Sequence, residues 1–198
     1  HAGMTAAEIA ASAGAEVDLL PIAADTEASL RDSLLRASGA DLIVTIGGAS
    51  VGDHDLIGKV TAGLGMQRAF YKLAMRPGKP LMAGRLGRAA MLGLPGNPVS
   101  AIVCAKLFMQ PLIRAMQGLP PGPDLAQAVL SRDLPPEGDR QHYHRARLLP
   151  GAGLPMIDPF PDQDSARLWL LAEADALLVR PAHDPARKAG EQVPFVAL

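Results

Sequence analysis

Cysteine is nearly absent: Cys104 stands alone among 198 residues. A lone thiol closes no internal disulfide, and no paired Cys and His spacing marks a structural zinc site. Such usage suits a reducing compartment, so the expected location is the cytoplasm. A charge excess is missing too. Nineteen basic residues face twenty acidic ones, for a formal net charge of −1, whereas a dedicated nucleic-acid binder usually carries a basic surplus. Any cationic site must therefore be local. No uninterrupted apolar run approaches a membrane span, and His1-Ala2-Gly3-Met4 lacks the layout of a signal peptide. Neither nucleic acid nor membrane is expected as a partner. What remains is globular, 48% hydrophobic and 20% charged, with enough length to bury a core in one or two domains.

Helix and strand signals alternate at first. Residues 5–13 read as helix, 16–20 as extended, 26–37 as helix and 41–46 as extended, before a glycine-rich loop and a helix over 56–64. This alternation predicts an α/β domain with a mainly parallel sheet. Its opening element is a helix rather than a strand, so the first strand reads as missing and the chain as a fragment. Residues 69–75, 80–86 and 89–94 read as short extended segments, the last two joined in a hairpin. A helix from 98 to 116 carries Ile102, Leu107, Phe108, Leu112 and Ile113, an apolar face wide enough to cover a sheet. The run Gly118-Leu119-Pro120-Pro121-Gly122-Pro123 opposes both helix and strand. It sets the expected boundary: an α/β domain over 1–118 and a second domain over 119–198. Extended segments at 125–130, 143–149, 176–179 and 193–196, with one helix at 166–174, make the second domain small and β-barrel-like.

The chemistry gathers around two turns. Gly47-Gly48-Ala49-Ser50-Val51-Gly52 follows the apolar run 41–46, at the carboxyl end of a buried parallel strand, where α/β sheets place ligands. It lacks the spacing of a dinucleotide fingerprint or a P-loop. Leu94-Pro95-Gly96-Asn97-Pro98 opens a helix, with Asn97 as N-cap and Pro98 as first helical residue. The backbone N–H groups of Val99, Ser100 and Ala101 are expected to face an anion. Between the turns, Lys72, Arg76 and Lys79 lie on one stretch and offer point charges and a planar donor fork to an oxyanion. Asp53 and Asp55 follow the first turn; they read either as caps or as carboxylates for Mg²⁺, which takes one or two of them and bridges to phosphate oxygens. Asp25 reads as an N-cap of the 26–37 helix, and Ser165 as a cap rather than a nucleophile. Cys104 reads as a core residue. His142 and His144 share one strand face, but with no third ligand nearby they read as surface histidines.

Three ordered stretches, Gly47–Asp55, Lys72-Leu73-Ala74-Met75-Arg76-Pro77-Gly78-Lys79-Pro80 and Gly93-Leu94-Pro95-Gly96-Asn97-Pro98-Val99-Ser100-Ala101, resemble the molybdopterin molybdenumtransferase family, that of MoeA and the gephyrin E domain. Tyr143-His144-Arg145, Gln163-Asp164-Ser165 and Ala189-Gly190-Glu191 resemble the same family's C-terminal β domain. The resemblance implies a three-layer αβα domain of molybdopterin-binding type, incomplete at its N-terminus, followed by that β domain. It also implies a Mg²⁺-dependent transfer of molybdate to the dithiolene of adenylylated molybdopterin, with release of AMP. On this reading the Gly47, Gly48, Ser50, Gly52 loop and the Pro95, Gly96, Asn97, Pro98, Ser100 turn hold the pterin nucleotide. Asp25 and Asp55 match acidic active-site positions, and Asp55 with Asp53 would hold the metal. Lys72 and Arg76 match a basic pair, Lys79 supports them, and Arg145 and Ser165 match functional positions in the β domain. The chain departs from the pattern where Asp164 replaces a glycine, where Arg167 enters a small or apolar segment, and where the family's two further N-terminal domains and acidic opening strand would stand. It reads as a carboxyl-terminal portion whose isolated turnover is doubtful. The family implies a homodimer for the full-length parent and the adenylyltransferase of the same pathway as a partner. The alternatives are molybdopterin adenylyltransferase and a non-catalytic, gephyrin-like binding fragment.

Overall fold

The structure, a computed structural model, describes residues 2–48 and 56–198. In chain order the elements are α1 (Ala2–Ser12), α2 (Glu27–Arg36), β1 (Leu42–Ile46), α3 (Leu56–Gly63), β2 (Gln67–Tyr71), β3 (Met75–Arg76), β4 (Met82–Leu86) and β5 (Ala89–Leu94). Next come α4 (Pro98–Cys104), which runs through a π-helical turn (Ala105–Met109) into α5 (Gln110–Met116), then β6 (Leu125–Leu130), β7 (Gln141–Leu149), β8 (Met156–Pro159), α6 (Leu168–Ala172), β9 (Ala176–Arg180) and β10 (Gln192–Ala197). They form two compact units. Residues 1–73 and 78–121 make the first, and residues 74–77 and 122–198 the second.

The first unit holds a four-stranded sheet in the order β1-β5-β4-β2. β1 and β5 run parallel, from Leu42 beside Ala90 to Ile46 beside Leu94. β4 pairs antiparallel with β5 and with β2. The α/β class stands, but among the described strands the sheet is mixed rather than mainly parallel, because the β4–β5 hairpin and β2 supply two antiparallel pairings to one parallel pairing. Leu34 of α2 and Ile57 and Val60 of α3 pack with Ile43, Met82, Ala89 and Met91 of the sheet. Side chains alternate along a strand, so Leu92 and Leu94, both buried, belong to the opposite face. There α4 packs against β5, and α1 packs against α4. Helix, sheet and helix make three layers.

Helix signals place α2 well. Thr26, not Asp25, is its N-cap, accepting from the Ser29 N–H; Asp25 is exposed on the turn before it. The extended segment expected over 16–20 pairs with no strand among the described residues, and Val17, Leu19 and Ile22 are exposed. The α4–α5 helix, residues 98–116, is long and apolar enough to cross a membrane by length and composition, contrary to expectation. It is nonetheless largely buried, with Val99, Ala101, Val103 and Cys104 all inaccessible. Cys104 is the core residue expected, and burial pushes its thiol up to about 12.

The second unit is a six-stranded sheet in the order β3-β7-β8-β6-β10-β9, with β9 also paired to β7. That extra pairing closes β7, β8, β6, β10 and β9 into a ring, as in a barrel, with β3 added beside β7. Its core is Ala128, Leu130, Ala146, Ile157, Ala176, Leu178, Val193 and Phe195. β3 comes from the middle of the first unit's sequence: Met75 and Arg76 lie beside Gln141 and His142 of β7. The extended stretch expected over 69–75 is therefore two strands of two sheets.

Candidate functional site

The parallel pair β1–β5 sets the geometry of the first unit's site. Both strands end at a glycine turn, and the Gly47 N–H donates to the Leu94 carbonyl at 3.1 Å. The turns then touch backbone to backbone: a Cβ added at Gly96 would lie 3.3 Å from the Gly47 Cα. Gly47 and Gly48 have φ of 84° and 72°, a left-handed region that glycine enters without steric cost. Pro95 is buried beneath the turn while Gly96 and Pro98 are exposed. Asn97 caps α4, its side chain accepting from the Ser100 N–H at 3.1 Å, with Pro98 in the first turn. The Ala101 N–H reaches the Asn97 carbonyl at 2.8 Å. Two of the three N–H groups expected to face an anion are thus taken by Asn97, which leaves Val99 of that set. An edge of bare backbone beside a helix N-terminus can accept the oxygens of a phosphate or similar oxyanion.

Ser50, Gly52, Asp53 and Asp55 lie outside the described residues. Lys72 and Lys79 are exposed members of the first unit, linked through a hydrogen bond from the Leu73 N–H to the Lys79 carbonyl at 2.9 Å. Lys72 holds φ at 71°, uncommon for a residue with a side chain. Its N–H donates to the Leu81 carbonyl at 2.9 Å, and its Nζ lies 5.2 Å from the Tyr71 ring centroid. Arg76 belongs to the other unit, on β3. The basic stretch is therefore not one cationic strand.

In the second unit the structure brings Arg145 and Ser165 to one place. Arg145 is fully buried, and its guanidinium donates to the carbonyls of Asp164 and Arg167, each at 3.0 Å. Those carbonyls flank Ser165, so Arg145 fixes the loop that carries the serine. Gln163 binds both the N–H and the carbonyl of Arg145, at 2.9 and 3.0 Å. The residues that depart from the family pattern are built into the same loop. Asp164 accepts from the Ala166 N–H at 2.9 Å, and Arg167 pairs with Asp162 at 2.6 Å. Ser165 does not cap α6; Arg167 is at that position, without a side-chain cap.

His142 and His144 are not surface histidines. His142 is buried and His144 half-buried, and their rings lie 3.8 Å apart. The shared strand face is legible in the sequence, but Glu137 is not: it lies in the loop before β7, five residues ahead of His142 and seven ahead of His144. Its carboxylate lies 3.3 Å from His142 Nδ1 and 2.5 Å from His144 Nε2. Burial drives His142 down to about 4, with the neighbouring His144 adding to the effect, and burial lowers His144 as well. Buried Arg180 ion-pairs with Asp184. The only advance signal for this cluster was the alternating His-x-His.

Residues 1–115 match the family described as "Probable molybdopterin binding domain", and residues 127–198 match "MoeA C-terminal region (domain IV)". A Mycobacterium tuberculosis protein named molybdopterin molybdenumtransferase 2 is 38% identical over 190 residues, covering 91% of this chain and 46% of that protein. A Nostoc protein named molybdopterin molybdenumtransferase is 33% identical over 187 residues, 91% of this chain and 43% of that protein. The chain thus spans less than half the length of these curated relatives. A solved MoeA structure from Pyrococcus horikoshii superposes with a TM-score of 0.81 at 23% identity, over 98% of this chain and 47% of its own, a likeness of fold. With its first 115 residues matched by the molybdopterin-binding description and residues 127–198 by the MoeA C-terminal region, the chain belongs to the MoeA family.

Proposed function

We propose that this chain is part of an enzyme of molybdenum cofactor synthesis that transfers molybdate to the dithiolene of adenylylated molybdopterin and releases AMP. The observation that carries the reading is the apposition of Gly47 and Gly96 at the carboxyl ends of the parallel pair, beside the α4 N-terminus. Bare backbone at that edge suits the phosphates of a pterin nucleotide. The names of the relatives supply the molybdenum transfer to molybdopterin; the adenylylated substrate and the release of AMP come from the resemblance. The adenylyltransferase alternative is not favoured, since residues 127–198 match the MoeA C-terminal region, and the relatives' names do not favour a non-catalytic binding fragment.

In this proposal the Gly47–Gly48 turn, with Ser50 and Gly52, and the Pro95–Ser100 turn orient the nucleotide. Exposed Lys72 and Lys79 offset negative charge as the phosphoanhydride breaks. Asp25 stays an acidic candidate on its exposed turn. Asp53 and Asp55 offer hard oxygen donors, the type that suits Mg²⁺; the ion would supply charge neutralisation on the phosphate oxygens. Arg76, Arg145 and Ser165 belong to the second unit and enter the proposal through the resemblance. A homodimeric, cytoplasmic parent that works alongside the pathway's adenylyltransferase completes it.

Calorimetry of AMP binding, with and without Mg²⁺ and molybdate, tests the reading on this chain and on an upstream-extended form. Binding assisted by Mg²⁺ is expected, weakened at least about tenfold by Lys72→Ala and by Asp55→Ala, as loss of a charge-assisted contact implies. Absence of AMP binding in both forms would overturn it.

A further inference from the structure

We propose that Glu137, His142 and His144 form a binding site for a divalent transition-metal ion of the Zn²⁺ type, with a coordination position left for an outside oxygen ligand near Arg180. The site lies wholly within the second unit and is independent of the function proposed above.

The donor set is the first argument. One ligand atom from each of Glu137, His142 and His144 lies within 4.8 Å of the other two. Two imidazoles and one carboxylate suit Zn²⁺ and its neighbours rather than Mg²⁺, which prefers oxygen alone. The spacing is the second. Bonds of about 2.0 Å in a tetrahedron put donors roughly 3.3 Å apart, and His142 Nδ1 already stands 3.3 Å from the Glu137 carboxylate. His144 Nε2 meets the other oxygen of the same carboxylate at 2.5 Å, a contact that widens when an ion enters. In the metal-free state each ring shares a proton with the carboxylate. On binding, each ring carries that proton on its other nitrogen, so neither histidine has to lose a proton.

The site is preorganised, the third argument. His142 and His144 are two residues apart on β7 and so face the same way. His142 lies opposite Arg180 of β9, and His144 opposite Leu178. The Glu137 loop is tied to the same frame: the Glu137 N–H donates to the Asp184 carbonyl at 2.9 Å, and Arg180 Nη2 donates to the Pro135 carbonyl at 3.1 Å. The three side chains retain 10–14% of their exposure, enough for an ion to reach them.

Arg180 supplies the fourth argument. Its side chain is 1% exposed, yet Nη1 has no hydrogen-bond partner among the described residues and lies 3.9 Å from Glu137 Oε1. A buried donor without an acceptor is costly. A water or small anion held on the ion is the acceptor it lacks, and three protein donors leave room for one. The cations of Arg180 and of Arg76, beside His142 on β3, oppose a metal ion. The Asp184 ion pair and the Glu137 carboxylate offset them.

The test is titration of the whole, chelator-stripped chain with Co²⁺, followed by its visible d–d absorption, and then displacement by Zn²⁺. One equivalent per chain is expected, with a spectrum of low coordination number that Zn²⁺ abolishes. Glu137→Gln and His144→Ala should each weaken binding by more than about tenfold, with circular dichroism confirming that each variant is folded. If His144→Ala fails to fold, the near-isosteric Glu137→Gln decides alone. Folded wild-type chain that takes up no stoichiometric Co²⁺ overturns the proposal, as does binding that Glu137→Gln leaves unchanged.

Discussion

A single added methyl group tells the glycines of this chain apart. At Gly48 an added Cβ would meet Ile57 Cγ1 at 2.6 Å with φ at 72°, and Ile57 belongs to the core. Gly48→Ala is expected to destabilise the chain by about 1–3 kcal/mol, read as a lower midpoint in urea. Gly63, at the end of α3, has nothing within 4 Å of its added Cβ, and Gly63→Ala should instead stabilise by under ~1 kcal/mol through the unfolded state. Equal effects from the two would remove the steric account. Gly96 belongs to a third case, where approach to the Gly47 backbone rather than torsion demands the small residue. The motif residues were readable because chemistry at a turn needs particular residue types. The partners of buried side chains were not: Glu137 reaches His144 across seven positions, and no spacing rule links a loop carboxylate to a strand face.

Elements were legible where local signals and tertiary partners agree. β5 and β6 lie where alternation and punctuation placed them, and Thr26 and Asn97 open their helices as capping chemistry requires. The failures have one cause, since a strand exists only through its neighbours. Residues 16–20 have the pattern of a strand but no ladder among the described residues, whereas Met75 and Arg76, too short to show any pattern, are a strand because β7 accepts them. β8 escaped for the same reason, with four residues ending in proline. Loops obey this rule as well: the 163–167 segment has little regular structure, and Arg145 holds it. Arg145→Lys keeps the charge but loses the planar fork to two carbonyls. We expect a cost of about 1–3 kcal/mol in urea denaturation, with faster proteolysis near Ser165. Unchanged stability and cleavage would show that the loop holds itself.

For the molecule as a whole, the His142–His144 pair predicts how stability follows pH. Both rings have lowered pKa values in the fold, His142 at about 4. His142 is buried and His144 half-buried, and they face Arg76 and Arg180 as well as Glu137. The unfolded chain takes up protons near about pH 6.5, which the folded chain refuses until lower pH. Their contribution is therefore complete above about pH 6.5 and is lost as pH falls toward about 4. Urea midpoints measured with a chelator present should fall over that interval, and replacing both histidines with glutamine should flatten the decline. A wild-type midpoint constant from about pH 7 to about pH 4.5 would contradict the assignment. The excursion of residues 74–77 reaches further than stability. A gene segment cut to residues 127–198 would inherit a sheet that lacks β3, and the donor it left behind would keep a strand with no ladder to join. In any exchange of the second unit at a single breakpoint the upstream parent supplies β3, so Arg76 travels with the sequence of one unit while its register is dictated by the other.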